Sequence, residues 1–153
     1  MTTTNALPDG LLMGFDFGTQ RIGLAVGQRV TRTASAIAIL KARDGVPDWD
    51  ELETLITNWN PVGFIVGDPL NMDGTESEMS VRARRFARRL TGRFDRPAAM
   101  MDERLSSFEA RDDAKDGPRP RGPVDAVAAR LILESYLNAE MSMPPSGGDN
   151  SNG

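Results

Sequence analysis

Met13-Gly14-Phe15-Asp16-Phe17-Gly18-Thr19-Gln20-Arg21-Ile22-Gly23-Leu24-Ala25-Val26 is two apolar runs joined by a short turn, with one carboxylate, Asp16, set inside the first run. The runs read as antiparallel strands, and Gly18 is expected to give the turn positive φ and let a ligand approach the backbone. Burying an unpaired carboxylate is costly, and Leu12, Gly14 and Gly18 offer it no side-chain partner. Asp16 therefore either closes a turn on backbone N–H groups or shares a cation with carboxylates elsewhere in the chain.

Outward from this pair, the chain reads as a three-stranded antiparallel meander over residues 11–17, 21–27 and 34–40. Val46-Pro47-Asp48 opens a helix with Pro near its first turn, and Trp49, Leu52, Ile56 and Trp59 recur on one face as core. Asn60-Pro61 ends that helix, and residues 62–67 form a continuous apolar strand of the buried, parallel kind. Thr75 and Glu78 have capping-box spacing, so the next helix is expected to begin there. Its buried stripe is Met79, Ala83, Phe86 and Leu90. Arg82, Arg85 and Arg89 line one outer flank, Arg84 and Arg88 the other. Residues 97–101 read as a fifth strand, Ser106 and Glu109 as the start of a helix to about Ala114, and residues 116–123 as an irregular loop. The last helix runs from Pro123 or Val124 to about Met141. The expected organisation is a leader at 1–10, one α/β domain at 11–141 and a disordered tail at 142–153.

Composition narrows the chemistry. The 153 residues include no Cys and no His, which excludes disulfides, thiolate nucleophiles, Ser-His-Asp triads and His or Cys zinc sites. Carboxylates with a hard cation are the most economical chemistry left for a hydrolase. The net charge of −4 and pI near 4.9 argue mildly against non-specific nucleic-acid binding. One Arg-rich helix in an acidic protein nevertheless makes a local anion site, and Arg suits bidentate contact with phosphate. No apolar run has membrane-spanning length and residues 1–10 lack a signal-peptide plan, so a cytoplasmic protein is expected.

Three acids stand where a sheet-based site would gather them: Asp16 on strand one, Glu103 (or Asp102) after strand five, and Asp125 in the first turn of the last helix. Asp125 shares a face with Ala128, Ala129, Ile132 and Tyr136, which turns it toward the sheet. Three such oxygens converging on one edge would repel one another unless a cation sat between them. One Mg²⁺ or Mn²⁺ could activate water and a second stabilise the leaving oxygen, with Asp16 bridging; phosphodiester hydrolysis is the chemistry this supports. Arg21 and Arg104 would orient phosphate or pair with the acids.

Residues 14–23 (GFDFGTQRIG), 66–75 (VGDPLNMDGT), 102–106 (DERLS) and 124–129 (VDAVAA) resemble, in order and spacing, the four signature blocks of the YqgF family. The resemblance covers roughly residues 11–140. It implies an RNase H-like fold, with a mixed five-stranded sheet and helices on both faces, in proteins related to RuvC Holliday-junction resolvases. The implied activity is metal-dependent trimming of the 5′ end of precursor 16S rRNA, with catalytic and metal-binding roles for Asp16, Glu103 and Asp125 and two Mg²⁺ or Mn²⁺ ions. Arg21, Asn71, Arg82, Arg85, Arg89 and Arg104 are the candidate nucleic-acid contacts, and a monomer or weak homodimer is expected. Two departures stand out. Asp68 replaces an apolar family residue, as a fourth acid or a neutral local change, and Arg121-Gly122-Pro123 replaces a Lys-containing segment in a shortened loop. Competing readings are a DNA-junction resolvase, a non-catalytic rRNA-binding assembly factor, and a phosphotransferase, since Asp16-Phe17-Gly18-Thr19 also resembles the first phosphate motif of sugar kinases.

Overall fold

A computed structural model describes residues 10–104 and 124–142, with the backbone alone for residues 124, 125 and 140–142. The expected leader, the 106–114 helix, the 116–123 loop and the tail beyond Ser142 lie outside the described residues.

The opening stretch forms β1 (Leu11–Asp16) and β2 (Arg21–Gln28), antiparallel with Met13 opposite Val26. β3 (Thr33–Arg43) completes the meander and is longer than its apolar pattern suggested. Gly18 does not adopt positive φ. What requires glycine there is space, because a β-carbon would stand 2.6 Å from the Arg21 carbonyl oxygen.

Val46-Pro47, expected to open a helix, instead forms the two-residue strand β4 on the outer edge of β3. The missed signal is Asp44-Gly45. With φ of 52° and 83°, the pair makes the tight hairpin turn that Asp-Gly favours. Pro47 lacks an N–H and is tolerated on an edge strand. The sheet therefore has six strands, in the order β4-β3-β2-β1-β5-β6, one more than the expected five.

Asp48 caps α1 (Trp49–Trp59), its carboxylate accepting from the Asp50 and Glu51 amides, and Asn60 ends it in the left-handed conformation. Leu52 and Ile56 are buried, but Trp59, expected in the core, is 42% exposed at the end of the helix. Trp49 is half-buried, stacked near Phe86 with the Arg93 guanidinium above its ring. β5 (Gly63–Asp68) is buried throughout and parallel to β1, and β6 (Ala98–Asp102) is parallel to β5.

Between them, α2 (Glu78–Phe94) begins later than the Thr75–Glu78 spacing implied. Ser77 is the cap, its hydroxyl accepting from the Ser80 amide at 2.9 Å. Thr75 is engaged by Asp73 and Asn71 inside the preceding loop. The expected stripe holds: Ala83, Phe86 and Leu90 are buried and Met79 packs at its border.

The helices cover both faces. α1 and α2 lie over the Phe15, Phe64 and Phe86 side, and α3 (Val124–Ser142) lies over Leu12, Ala25 and Ile65. Its buried stripe is Ala126, Ala129, Ile132, Leu133 and Leu137, with Tyr136 at the border and Ala128 only half-buried. α3 comes close to β1 because Gly14 has no side chain, a β-carbon there falling 2.9 Å from the Leu133 β-carbon.

Candidate active site

Side chains alternate across β1, so Leu12, Gly14 and Asp16 share the α3 face while Met13, Phe15 and Phe17 face α1 and α2. On β5, parallel to β1 with Phe15 beside Val66, Gly67 follows on the same face. On β6, Gly67 stands opposite Met101 and Asp68 opposite Asp102. The chain turns helical at Glu103, whose carboxylate folds back over Gly67 beside Ile132 of α3. Asp16 and Glu103 thus occupy one face at the C-terminal edge of the parallel strands, the edge where α/β sheets bind ligands.

Burial, reinforced by the charges of Asp68 and Asp102, pushes the Glu103 carboxyl up to about 7. The Asp102 carboxyl is held below the usual range by Arg104, which grips it through Nε at 3.1 Å and Nη2 at 2.7 Å. Of the two acids at the end of the last strand, Glu103 therefore stands on the Asp16 face while Asp102 serves as an ion-pair partner. Asp125 lies in the first turn of α3, and its side chain is outside the described residues. Among the described residues, no three acids form a group able to hold a metal ion.

Asp68 is 3% exposed and faces α2, away from Asp16. It accepts hydrogen bonds from the Ser80 hydroxyl and from Arg84 Nε and Nη2, and Arg84 also pairs with Glu76. Its charge reaches Glu103 without its side chain joining the site. A signal was available: a buried acid at a strand end, with Ser and Arg on consecutive turns of the next helix.

Among the basic candidates, Arg21 is exposed at the start of β2. Arg104 donates to the Met72 carbonyl as well as to Asp102, tying the end of β6 to the 69–77 loop. Asn71 builds that loop, its amide donating to Thr75 Oγ1 and the Glu76 carbonyl. Arg82 pairs with Asp44 at 2.8 Å, while Arg85 and Arg89 are exposed alongside.

A family model described as "RuvX: Holliday junction resolvase" matches residues 10–139. The chain belongs to the RuvX family. Two curated relatives named "Putative pre-16S rRNA nuclease" are similar along most of their length. That of Azotobacter vinelandii is 55% identical over 132 residues, 83% of this chain and 92% of the relative. That of Pseudomonas putida is 53% identical over 134 residues, 84% and 95%. Among solved structures, Thermus thermophilus RuvC in complex with a Holliday junction substrate superimposes with a TM-score of 0.51 at 14% identity, over 86% of this chain and 96% of that one. At that identity the likeness shows the fold, which is RNase H-like. The YqgF resemblance and the RuvX match name the same family, and they cover the same stretch of chain. No helix among the described residues is long and apolar enough to cross a membrane.

Proposed function

We propose that this RuvX-family chain is a nuclease that hydrolyses phosphodiester bonds, acting in maturation of the 5′ end of precursor 16S rRNA. The observation that carries the reading is the return of the Glu103 carboxylate over Gly67 to the face that bears Asp16. Two acids on one sheet face, one of them raised by burial and by the charges of Asp68 and Asp102, make a donor set suited to a divalent cation. Asp16 and Glu103 would hold the ion, and Asp125, in the first turn of α3, is the third candidate. When bound, Mg²⁺ or Mn²⁺ supplies Lewis-acid stabilisation of the charge that develops on the phosphoryl group.

The chain's own groups do the rest. Arg21 and the Arg flank of α2 offer donors to flanking phosphates. Arg104 holds the 69–77 loop beside the edge, and Asp102 in turn holds Arg104. Ile132 lies beside the Glu103 carboxylate over Gly67. The rRNA assignment rests on the names of relatives more than 50% identical over nearly their full length. A DNA-junction reading is favoured by the description of the family model, and substrate choice separates the two.

Asp16→Asn is the test. With purified precursor 16S rRNA and with assembled ribosomal particles as separate substrates, the variant should lose Mg²⁺- or Mn²⁺-dependent cleavage while its thermal unfolding stays close to wild type. Unchanged cleavage would refute the reading. Cleavage of a four-way DNA junction with none of either RNA substrate would move the assignment to resolution.

A further inference from the structure

On the opposite face of the sheet from Asp16, a cavity of about 160 Å³ opens between the Asp44-Gly45 hairpin and α2. Phe17, Gly45, Val46, Arg82, Arg85 and Arg89 are among its lining residues. Its walls are fixed. The Gly45 amide donates to the Thr19 carbonyl and the Ala42 amide to the Gln20 carbonyl, which ties the hairpin to the β1–β2 turn. Arg82 ties the same hairpin to α2 through the Asp44 carboxylate and carbonyl. Phe17, tilted against Phe86 with ring centres 5.1 Å apart, makes the floor.

The charges in this cavity do not balance. Among the described residues, Asp44 is the acid in its lining, and Arg82 neutralises it. Arg85 and Arg89 have no ion-pair partner among the described residues. Their helical neighbours worsen the imbalance: three and four residues away from Arg85 lie Val81, Arg82, Arg88 and Arg89, and from Arg89 lie Arg85, Phe86, Gly92 and Arg93. Like charges at these spacings destabilise a helix, and no acid on α2 beyond its first turn offsets them. A bound anion would. The cavity is smaller than the ~300 Å³ and more that enclose drug-sized ligands, so it suits one anionic group better than a whole nucleotide.

We propose that Arg85 and Arg89, backed by the Asp44-Gly45 hairpin, form a phosphate pocket that anchors the substrate strand on the far side of the sheet from the acidic edge. This rests on the nucleic-acid reading above. Asp16 and Phe17 are consecutive and point to opposite faces, so a strand crossing the end of β1 meets the acidic face and the pocket in succession. The group recognised is a phosphate, as a terminal monoester or an internal diester, because a guanidinium pair grips non-bridging oxygens common to both.

The test is binding of a fluorescent single-stranded oligoribonucleotide to the full chain in EDTA, so that cleavage does not contribute, across a salt series. Asp16→Asn is carried in parallel to separate anchoring from chemistry. Arg85→Ala combined with Arg89→Ala should weaken binding tenfold or more, and the salt slope should fall by about 0.7 for each phosphate that is no longer neutralised. The single variants should each exceed Arg88→Ala, which removes the same charge from the other flank. Val46→Glu, which sets a carboxylate at the mouth of the cavity, should mimic the double variant. Arg85→Lys with Arg89→Lys should restore part of the affinity. A 5′-phosphorylated strand that outcompetes its 5′-hydroxyl counterpart only when both arginines are present assigns the terminal monoester; equal affinities that fall together in the double variant assign the internal diester. Wild-type affinity and slope in the double variant overturn the pocket, even if Asp16→Asn has abolished cleavage. So does an equal loss in Arg88→Ala, which would show only a diffuse field.

Discussion

The Glu103 carboxylate lies over Gly67, in the space that a β-carbon on Gly67 would need. One residue on β5 thus decides whether an acid that follows β6 can reach the face that carries Asp16.

Gly67→Ala should therefore act on the site before it acts on the fold. The added methyl meets Glu103 and the tip of Ile132, both side-chain ends able to shift. We expect cleavage to fall at least tenfold while thermal unfolding shows a single transition lowered by a few degrees. Retention of full activity would mean that the Glu103 position is not needed.

Stability should depend on pH through Glu103. Its carboxyl stands near 7 in the folded protein against an ordinary value of 4.5, so the folded state holds a proton that the unfolded state has released between those values. Stability is then greatest below about pH 4.5 as far as this group is concerned, falls as pH rises toward 7 and levels off above, by up to about 3 kcal/mol. Glu103→Gln removes that dependence. In EDTA the variant should match wild type at pH 5 and melt at a higher temperature at pH 8, and Mg²⁺ should narrow the gap at pH 8 by stabilising wild type alone. Parallel melting curves across the whole range would contradict this.

Asp68→Asn tests the coupling across the sheet. It keeps an acceptor for the buried Ser80 hydroxyl but loses the charge held by Arg84, and should cost on the order of 1–3 kcal/mol in chemical denaturation. The same change removes a like charge from Glu103, so the pH at which stability levels off should move below 7. A midpoint that stays in place would show that the Asp68 charge does not act on Glu103.

Ser77→Ala should weaken the entry to α2. It deletes the acceptor for the Ser80 amide and the hydroxyl that donates to the Pro69 carbonyl at 2.6 Å, and caps of this kind are worth about 1 kcal/mol. Thr75→Ala, at the residue whose spacing suggested a cap, should cost less than Ser77→Ala. Thermal denaturation of the two variants ranks them directly.

Much of the fold was legible because its signals are local. Apolar runs joined by a short turn marked the first two strands of the meander, a continuous apolar run marked β5, and the absence of His and Cys reduced the chemistry to carboxylates. β4 was hidden because Val46-Pro47 also suits a helix entry, and Asp44-Gly45 became decisive only with β3 beside it. Trp59 followed the helical period yet ended up exposed, since periodicity cannot tell where the packed surface stops.

The sequence by itself determined which residue types could do chemistry and which strands would carry them, because those follow from composition and from backbone periodicity. Only the tertiary structure decided that Glu103, rather than Asp102, turns to the face of Asp16, and that Asp68 turns away to Ser80 and Arg84. It alone set Arg85 and Arg89 against a hairpin far earlier in the chain, where their charge is unbalanced. The reason is physical. A side chain's face follows from the pleat of its own strand, but its neighbours follow from register between strands distant in sequence, and no local pattern encodes that register.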